Sequence, residues 1–600
     1  LIKAQGGEGG LFLGVERSLT GRRWRRRLDE AAEREALAIG QVHGLTQALA
    51  QVVAGRGIGV DGVQEHLEPT LRGAMPDPST IRDMDLAVAR LALAIERREP
   101  VAVFGDYDVD GATSAALLAL YLKPFGVPVR IHIPDRIIEG YGPNVEAIRM
   151  LATDGATLLV TVDCGVASHE PLAEARRLGL DTVVLDHHLA GETLPDAIAI
   201  VDPNRQDDVS GLGRLAASGV VFMALVALNR RLRAEGRAAA APDLLELLDI
   251  VALGTVADVV PLTGLNRAFV RQGLKVLRRR ARPGLAALMD VAGLREPCDA
   301  HHLGFLLGPR INAGGRIGDA GLGARLLTTE DPVDAARIAA ELDRLNRERQ
   351  TIEQETVRQA EDMARGEDAR HGERPVVVVG SSEWHPGVVG LVASRLKDRL
   401  QRPAIAIAWD EAKGLGTGSA RSLPGVDIGR TVRLAVERGL LAKGGGHAMA
   451  AGVTLAPGRM PAFRAFLDDA LGGEIEAARA DLGIAIDALL GAGALAPEFA
   501  ADMARAGPFG QGNPEPIFAL ANHQLVDAAP AGSAHLRLRL RAPDGTAAGG
   551  IAFRAQGQPL GDALLARRGR AIHLVGCLQI DRWGGRERVD LRVIDAADVV

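Results

Sequence analysis

The chain has 600 residues, 47% hydrophobic and 24% charged, which excludes a largely disordered protein and implies several domains rather than one core. Aromatic residues are only 3% while glycines number 72, so the cores should be built from Ala, Val, Leu and Ile in an α/β framework with many turns. The formal net charge of −6 excludes nucleic-acid binding by bulk positive charge and confines any such binding to local grooves.

The chain opens on Leu1 rather than Met, and an initiator or short leader is expected before it. Residues 1–75 read as an N-terminal segment, Gly- and Arg-rich and then mildly helical. The Arg22–Arg27 cluster within it suits either contact with nucleic acid or a solvated stretch. Residues 76–330 alternate strand and helix. Apolar strands are expected at Pro100–Phe104, Ala156–Val162 and Thr182–Leu185, and a helix at Ala112–Leu122, which implies βαβ units and a mostly parallel sheet. The apolar run Val220–Leu228 is far shorter than the roughly 20 residues of a membrane span, so no membrane partner is expected.

Residues 331–366 read as one charged, Ala-rich helix that starts at Asp331-Pro332. It would be about 50 Å long and would connect two domains. Residues 367–484 resume the α/β pattern, with strands at Pro375–Val379 and Ala404–Trp409. Residues 485–600 carry short strands at His535–Leu540, Gly549–Phe553, Ala571–Gly576 and Arg588–Ile594. A small β-barrel follows from them, with Arg537 and Arg539 on one face. Cys164, Cys298 and Cys577 form no C-x-x-C pair, so neither a zinc ribbon nor a disulfide framework is written. Free thiols fit a reducing cytoplasm.

Four segments carry chemistry. Gly105-Asp-Tyr-Asp-Val-Asp-Gly111 follows the first strand, Asp163 the second and Asp186-His187-His188 the third, while Asp258 lies in Leu253–Leu262. Carboxylates at such spacing repel one another unless a cation neutralises them. In a parallel sheet the loops after the strands gather at one edge, where ligands bind. Carboxylates plus imidazoles suit Mn²⁺ or Mg²⁺. Five carboxylates (Asp106, Asp108, Asp110, Asp163, Asp258) exceed the needs of one ion, and two ions suit in-line attack on a phosphate.

Motifs DYDVDG, VTVDCG, LDHH and GTVADVVPL resemble, in order and spacing, those of the DHH phosphoesterase family. Leu307–Arg316, Trp384–Gly390, Gly418–Ser422, Lys443–His447 and Pro508–Pro516 narrow the resemblance to its RecJ branch of single-stranded-DNA-specific exonucleases, over roughly residues 70–600. The resemblance implies an α/β protein: a DHH-type parallel-sheet domain joined by the long helix to a DHHA1-type α/β domain, with a C-terminal OB-like β-barrel. It implies metal ligands at Asp108, Asp110, Asp163, His187 and Asp258, with Asp106, Asp186 and His188 beside them in catalysis. It places the substrate on Arg310, Asn312, Arg316, Ser419, Arg421, Gly445, Gly446 and His447. Ala313-Gly314-Gly315 departs from the pattern, where a bulkier stretch is expected.

From the residues themselves, residues 443–447 read as a Gly-rich loop in which Gly444–Gly446 exposes backbone N–H groups to a phosphate, and residues 418–421 as a second such loop in which Arg421 offers a bidentate fork. Trp384 suits base stacking or a core equally. The resemblance implies a 5′→3′ exonuclease on single-stranded DNA that releases 5′-mononucleotides and acts in DNA repair and recombination. It would be a cytoplasmic monomer, with a single-strand-binding protein and a helicase as partners. The rivals are a DHH phosphodiesterase on short oligonucleotides or cyclic dinucleotides, and a non-catalytic replication scaffold of the same fold.

Overall fold

A computed structural model describes residues 10–136, 139–480, 483–581 and 587–599. The chain divides into two compact units: Met75–Val260 with Phe269–Asp481, and Leu1–Ala74 with Pro261–Ala268 and Leu482–Val600.

The first unit opens with a five-stranded sheet. Its strands are β1 (Val101–Gly105), β2 (Val129–His132), β3 (Leu158–Val162), β4 (Asp181–Leu185) and β5 (Ala199–Val201). They run in the order β2-β1-β3-β4-β5, all parallel. Strands β1 and β3 are buried at every residue, as expected for a parallel sheet covered on both faces. Strands β2 and β5 escape the sequence pattern: β2 is a partly exposed four-residue edge strand and β5 has only three residues. Helices Val145–Thr153 and His169–Arg177 cover one face, with Ile148, Leu151 and Leu172 against Phe104, Leu159 and Val184. Helices α1 (Val109–Leu122), α2 (Ala217–Ala234) and α3 (Leu248–Ala257) pack against one another. The strand order reverses between β1 and β3, and ligands of such sheets sit beyond the strand ends at that point.

Helix α4 (Gly308–Ile317) leads to α5 (Pro332–His371), which is 40 residues long and therefore about 60 Å. Asp331 caps it, accepting from Val333 N at 2.9 Å. The helix does not stop at Gly366 as expected. One interior glycine costs only about 1 kcal/mol, and the helix runs on to Gly372, which has a φ of +79°.

The second α/β half contains β6 (Val377–Ser381), α6 (Val389–Leu400), β7 (Ala404–Asp410), β8 (Leu415–Arg421), β9 (Lys443–His447) and β10 (Ala450–Leu455). The order is β9-β10-β8-β7-β6, with only β6 and β7 parallel. Residues 418–421 and 443–447, expected in loops, are therefore strands. Trp384 belongs to the core with Val357, Ala360 and Val389 and donates its indole N–H to Gln359 at 2.9 Å, which removes it as a base platform. Cys164 is buried.

In the second unit β11 (Phe518–Ala531), β12 (His535–Arg541), β13 (Ala547–Ala552), β14 (Ala571–Asp581) and β15 (Arg588–Asp598) form a closed barrel. The β11–β14 pairing joins its ends. Arg537 and Arg539 do share the exposed face of β12, paired with Asp581 and Asp527. The Arg-rich N-terminal segment is not a free tail. Arg23–Arg26 is a strand parallel to Gly483–Ile486, Trp24 is fully buried with its indole N–H on Asp595, and Arg27 and Arg56 both reach Asp487, at 2.8 and 2.7 Å. The expected strands after residue 485 are present, although β11, the longest, had no alternation to announce it.

Candidate metal centre and phosphate cluster

The acidic motif turns directly from β1 into α1. Asp108 caps α1, accepting from Asp110 N at 2.8 Å and Gly111 N at 3.2 Å, so the helix starts at Val109 and Asp110 lies in its first turn rather than in a loop. Gly111 is required: a Cβ there would fall 2.3 Å from the Asp106 carbonyl oxygen. Asp110 is aimed by the next layer. Its carboxylate accepts from Ala217 N at 2.6 Å and Ser218 N at 3.0 Å, the N-terminus of α2, where the helix dipole favours an anion.

Asp163 follows β3 with a φ of +60°, a left-handed turn that Asp tolerates better than most residues. His187 Nε2 lies 3.2 Å from Asp163 and 3.7 Å from Asp258. Its Nδ1–H donates to the Leu215 carbonyl at 3.0 Å, which leaves the Nε2 lone pair facing the acids. Asp258 ends α3. Asp186 orients His188. Its carboxylate accepts from His188 Nδ1 at 2.8 Å, His187 N at 2.8 Å and Val166 N at 3.0 Å.

Three donor sets result, each with ligand atoms within 4.8 Å of one another: Asp110, His187 and Asp258; Asp106, Asp108 and Asp163; Asp163, His187 and His188. Burial first, then the charges of Asp110 and Asp108, pushes the Asp258 carboxyl up to about 9. Burial and neighbouring carboxylates hold Asp106 and Asp163 well above the usual range, and burial raises Asp110. One Asp106 oxygen is buried without a partner. Burial alone would deprotonate His188, but the hydrogen bond to Asp186 and its charge push that imidazole up to about 9. Carboxylates so placed fit divalent cations, and oxygen with imidazole donors fits Mn²⁺ or Mg²⁺.

Cations gather one residue away. The Arg136 guanidinium lies over the Tyr107 ring, 5.0 Å from its centroid. Burial, then Arg136 and Arg349, lowers Arg316 to about 10, and burial with Arg136 lowers Arg421. Arg316 donates to the Gly387 carbonyl at 3.0 Å and lines a cavity of about 170 Å³ with Asp135, Arg136 and His385. Arg421 donates to Ser419 Oγ at 2.7 Å. A Cβ on Gly390 would lie 3.1 Å from Arg421 Nη2 and 3.2 Å from Ser419 Oγ, so both side chains sit at the N-terminus of α6, a ready anion site. Sheet register sets Arg421, Ala450 and His447 in one row and Ser419, Gly452 and Gly445 in another. His447 and Gly446 are exposed, and the Gly446 carbonyl accepts from Arg433 at 3.0 Å.

Arg310 is different. Its Nε and Nη2 pair with Asp343 and its Nη1 with the Leu306 carbonyl, so it braces α4 against α5 with much of its donor set engaged inside the protein. Asn312 is half-buried on α4. The small residues of Ala313–Gly315 also have a reason: a Cβ on Gly315 would fall 2.4 Å from the Tyr107 carbonyl oxygen, so no bulkier residue fits. Sequence reading missed Arg136, Tyr141 and His385. The Tyr141 hydroxyl lies 3.2 Å from the His188 ring and donates to the Asp163 carbonyl at 3.5 Å. Arg136 and Tyr141 lie in the segment after the unread edge strand β2, and that strand was the signal that would have found them.

Family models match over residues 100–255 (DHH family, N-terminal domain), 373–473 (DHHA1 domain) and 486–595 (RecJ OB domain). The single-stranded-DNA-specific exonuclease RecJ of Dickeya dadantii is 38% identical over 89% of this chain and 93% of its own. That of Escherichia coli K12 is 36% identical over 95% and 98%. The crystal structure of Thermus thermophilus RecJ in complex with Mn²⁺ superposes with a TM-score of 0.76 at 31% identity, covering 95% of this chain and 78% of that one. A second structure of that protein holds Mg²⁺. Among the described residues no helix is long and apolar enough to cross a membrane. With its acid and imidazole clusters beyond the strand ends and these relatives along nearly its whole length, the chain belongs to the RecJ family of DHH phosphoesterases, metal-dependent exonucleases specific for single-stranded DNA.

Proposed function

We propose that the protein degrades single-stranded DNA from the 5′ end, releasing 5′-mononucleotides. Asp110, His187 and Asp258 hold one divalent ion, and Asp106, Asp108 and Asp163 hold a second. Bound ions supply charge neutralisation at the phosphate and acidify a water molecule. The protein's own groups do the rest. Asp110 keeps its aim through the α2 amides, and His187 keeps its Nε2 lone pair inward through Leu215. His188, oriented by Asp186, delivers a proton from its ring to the departing 3′ oxygen.

Polarity comes from the cation cluster. Arg136, Arg316 and Arg421 gather there, with burial first and the nearness of Arg136 second in depressing Arg316 and Arg421, and Ser419 and the α6 amides lie beside them. A terminal phosphate carries more charge than an internal one, and this is where it binds best. Such crowding of guanidinium groups one residue from the acidic motif is the observation that carries the reading. DNA repair and recombination are its setting, in the cytoplasm, as a monomer working with a single-strand-binding protein and a helicase. The test is product size and order from a long single strand labelled at either end, in Mn²⁺. Mononucleotides appearing first from the 5′ label support the reading. Release first from the 3′ label, or oligonucleotide products, overturns it.

A further inference from the structure

Aromatic side chains are scarce here and mostly buried, yet Phe305 is 74% exposed. Its position follows from the sequence Leu307-Gly308-Pro309 set inside a continuous helical stretch. Pro309 has no N–H to offer the carbonyl four residues back, which is that of Phe305, and its ring would crowd that carbonyl. The helix widens into a π-helical turn at Leu303–Leu307, with Gly308 N–H bonded to the Leu303 carbonyl. Such turns recur at functional sites. Leu303 and Leu307 are buried while Phe305 between them faces out. The Arg310 side chain ties the turn down through the Leu306 carbonyl at 2.7 Å.

The turn borders the acid cluster. A Cβ on Gly308 would lie 3.5 Å from Ala257 Cβ and 3.9 Å from Val109 Cγ2, neighbours in sequence of Asp258, Asp108 and Asp110. Phe305 lies about one helical turn, roughly 5 Å, along from Gly308. The His301 ring stacks on Phe305 with centroids 4.8 Å apart and planes at 28°, giving a two-layer aromatic shelf whose outer ring remains largely in solvent. A single exposed apolar side chain is ordinary on a surface; here the stacked pair of rings beside the acid cluster is what points to an occupant. A nucleobase is the occupant that suits it, because every base has a π-face and the turn packs on the residues flanking Asp258 and Asp110, the acids taken to hold the ion at the cleaved phosphate.

We propose that Phe305, backed by His301, is a stacking platform for one base of the single strand close to the cleaved bond. The inference rests on the acid cluster being the cleavage site. The test uses the full chain with Mn²⁺ and 5′-phosphorylated single strands in which one abasic nucleotide is moved stepwise from the 5′ end. The unaltered protein should lose about tenfold in kcat/KM when the abasic site reaches one position, the range expected of a single base–aromatic stack. Phe305→Ala should show a similar loss on intact strands and become indifferent to the abasic site at that position. Phe305→Trp should restore both behaviours, and Mn²⁺ affinity and Tm should stay unchanged. Unaltered kcat/KM in Phe305→Ala overturns the platform. So does a loss that ignores abasic position, or a change in oligomeric state in place of any change on DNA. Full Mn²⁺-dependent hydrolysis by Asp258→Ala would instead sink the underlying site, an outcome distinguishable because it does not depend on Phe305.

Discussion

Arg310 and Asp343 form a two-pronged ion pair between α4 and α5, with Nε and Nη2 both 3.0 Å from the same carboxylate oxygen. Both side chains are about nine-tenths buried. Breaking such a pair from one side leaves a desolvated charge behind, at a cost of about 3–5 kcal/mol, somewhat reduced here because Arg347 also reaches Asp343. Arg310→Ala should therefore lower Tm by several degrees. Its loss of kcat/KM should be equal on 5′-phosphorylated and 5′-hydroxyl strands. A loss confined to phosphorylated strands, with Tm unchanged, would return Arg310 to the phosphate pocket.

Arg421 should behave in the opposite way. Nη1 is engaged with Ser419 Oγ and the Ala420 carbonyl, and among the described residues no carboxylate pairs with the side chain. Arg421→Ala should cost about 2–4 kcal/mol in kcat/KM on 5′-phosphorylated strands, the size of a charge-assisted contact. The penalty should shrink on 5′-hydroxyl strands, where that contact is partly missing already. Lys at this position keeps charge but loses the fork and should rescue poorly. Equal penalties on both strands, with a lowered Tm, would assign it a bracing role instead.

The acid cluster makes a prediction about metal removal and pH. Burial and mutual repulsion push Asp258 up to about 9 and hold Asp106 and Asp163 well above ordinary carboxylates. In the unfolded chain these groups lose their protons near pH 4. Between about pH 4 and 9 the metal-free folded state thus binds more protons than the unfolded state, and its stability falls as pH rises. Divalent ions remove that deficit. Melting of EDTA-treated protein should drop between pH 6 and 8.5 while the Mn²⁺-loaded protein stays nearly level. Asp258→Asn should stabilise the metal-free protein at pH 8, on the order of 1–2 kcal/mol, and abolish most of the Mn²⁺ shift. Parallel curves with and without Mn²⁺ would show that the cluster holds no ion.

The acid cluster was legible because its residues sit one after another at strand ends, where a short buried strand and the Asp or His after it are adjacent in sequence. What was not legible depends on partners far along the chain. The strand Arg23–Arg26 has one apolar residue, Trp24, and its partner strand lies at Gly483–Ile486; no local periodicity announces it. Arg27, in the cluster that suited either nucleic acid or solvent, is instead held by Asp487 at 2.8 Å. Ser419 and His447 looked like loop residues because their glycines suggest turns. Those glycines instead flatten strands so that a helix and a neighbouring strand approach closely. Arg136 was lost with edge strand β2, too short and too exposed to show alternation.

The barrel holds a histidine pair that should make it acid-sensitive. The β11 ladder shifts register between Leu520 and His523, freeing the Asn522 N–H, which donates to His573 Nδ1 at 3.0 Å. That bond needs a lone pair on Nδ1. The neighbouring His523 donates Nδ1–H to the Ala521 carbonyl at 2.9 Å and keeps its Nε2 buried without a partner. A proton on either ring would be badly placed. Accordingly burial depresses His523, and burial with the nearness of His523 depresses His573. Unfolded histidines take up protons as pH falls through about 6.5, while the folded pair resists. The unfolded state then binds more protons, and barrel stability falls with pH, by at most about 1.4 kcal/mol per unit for each ring. Above about pH 7 the pair is neutral in both states and the dependence vanishes. Amide exchange of β11 in the full chain, corrected for intrinsic rates, should lose protection between pH 6.5 and 5.5 and be level from 7 to 8. Replacing both histidines by Gln should flatten the acid limb even if it lowers protection overall. Protection that is level down to pH 5.5 in the unaltered protein would mean that the rings accept protons inside the fold, and the tautomers assigned from these two hydrogen bonds would be wrong.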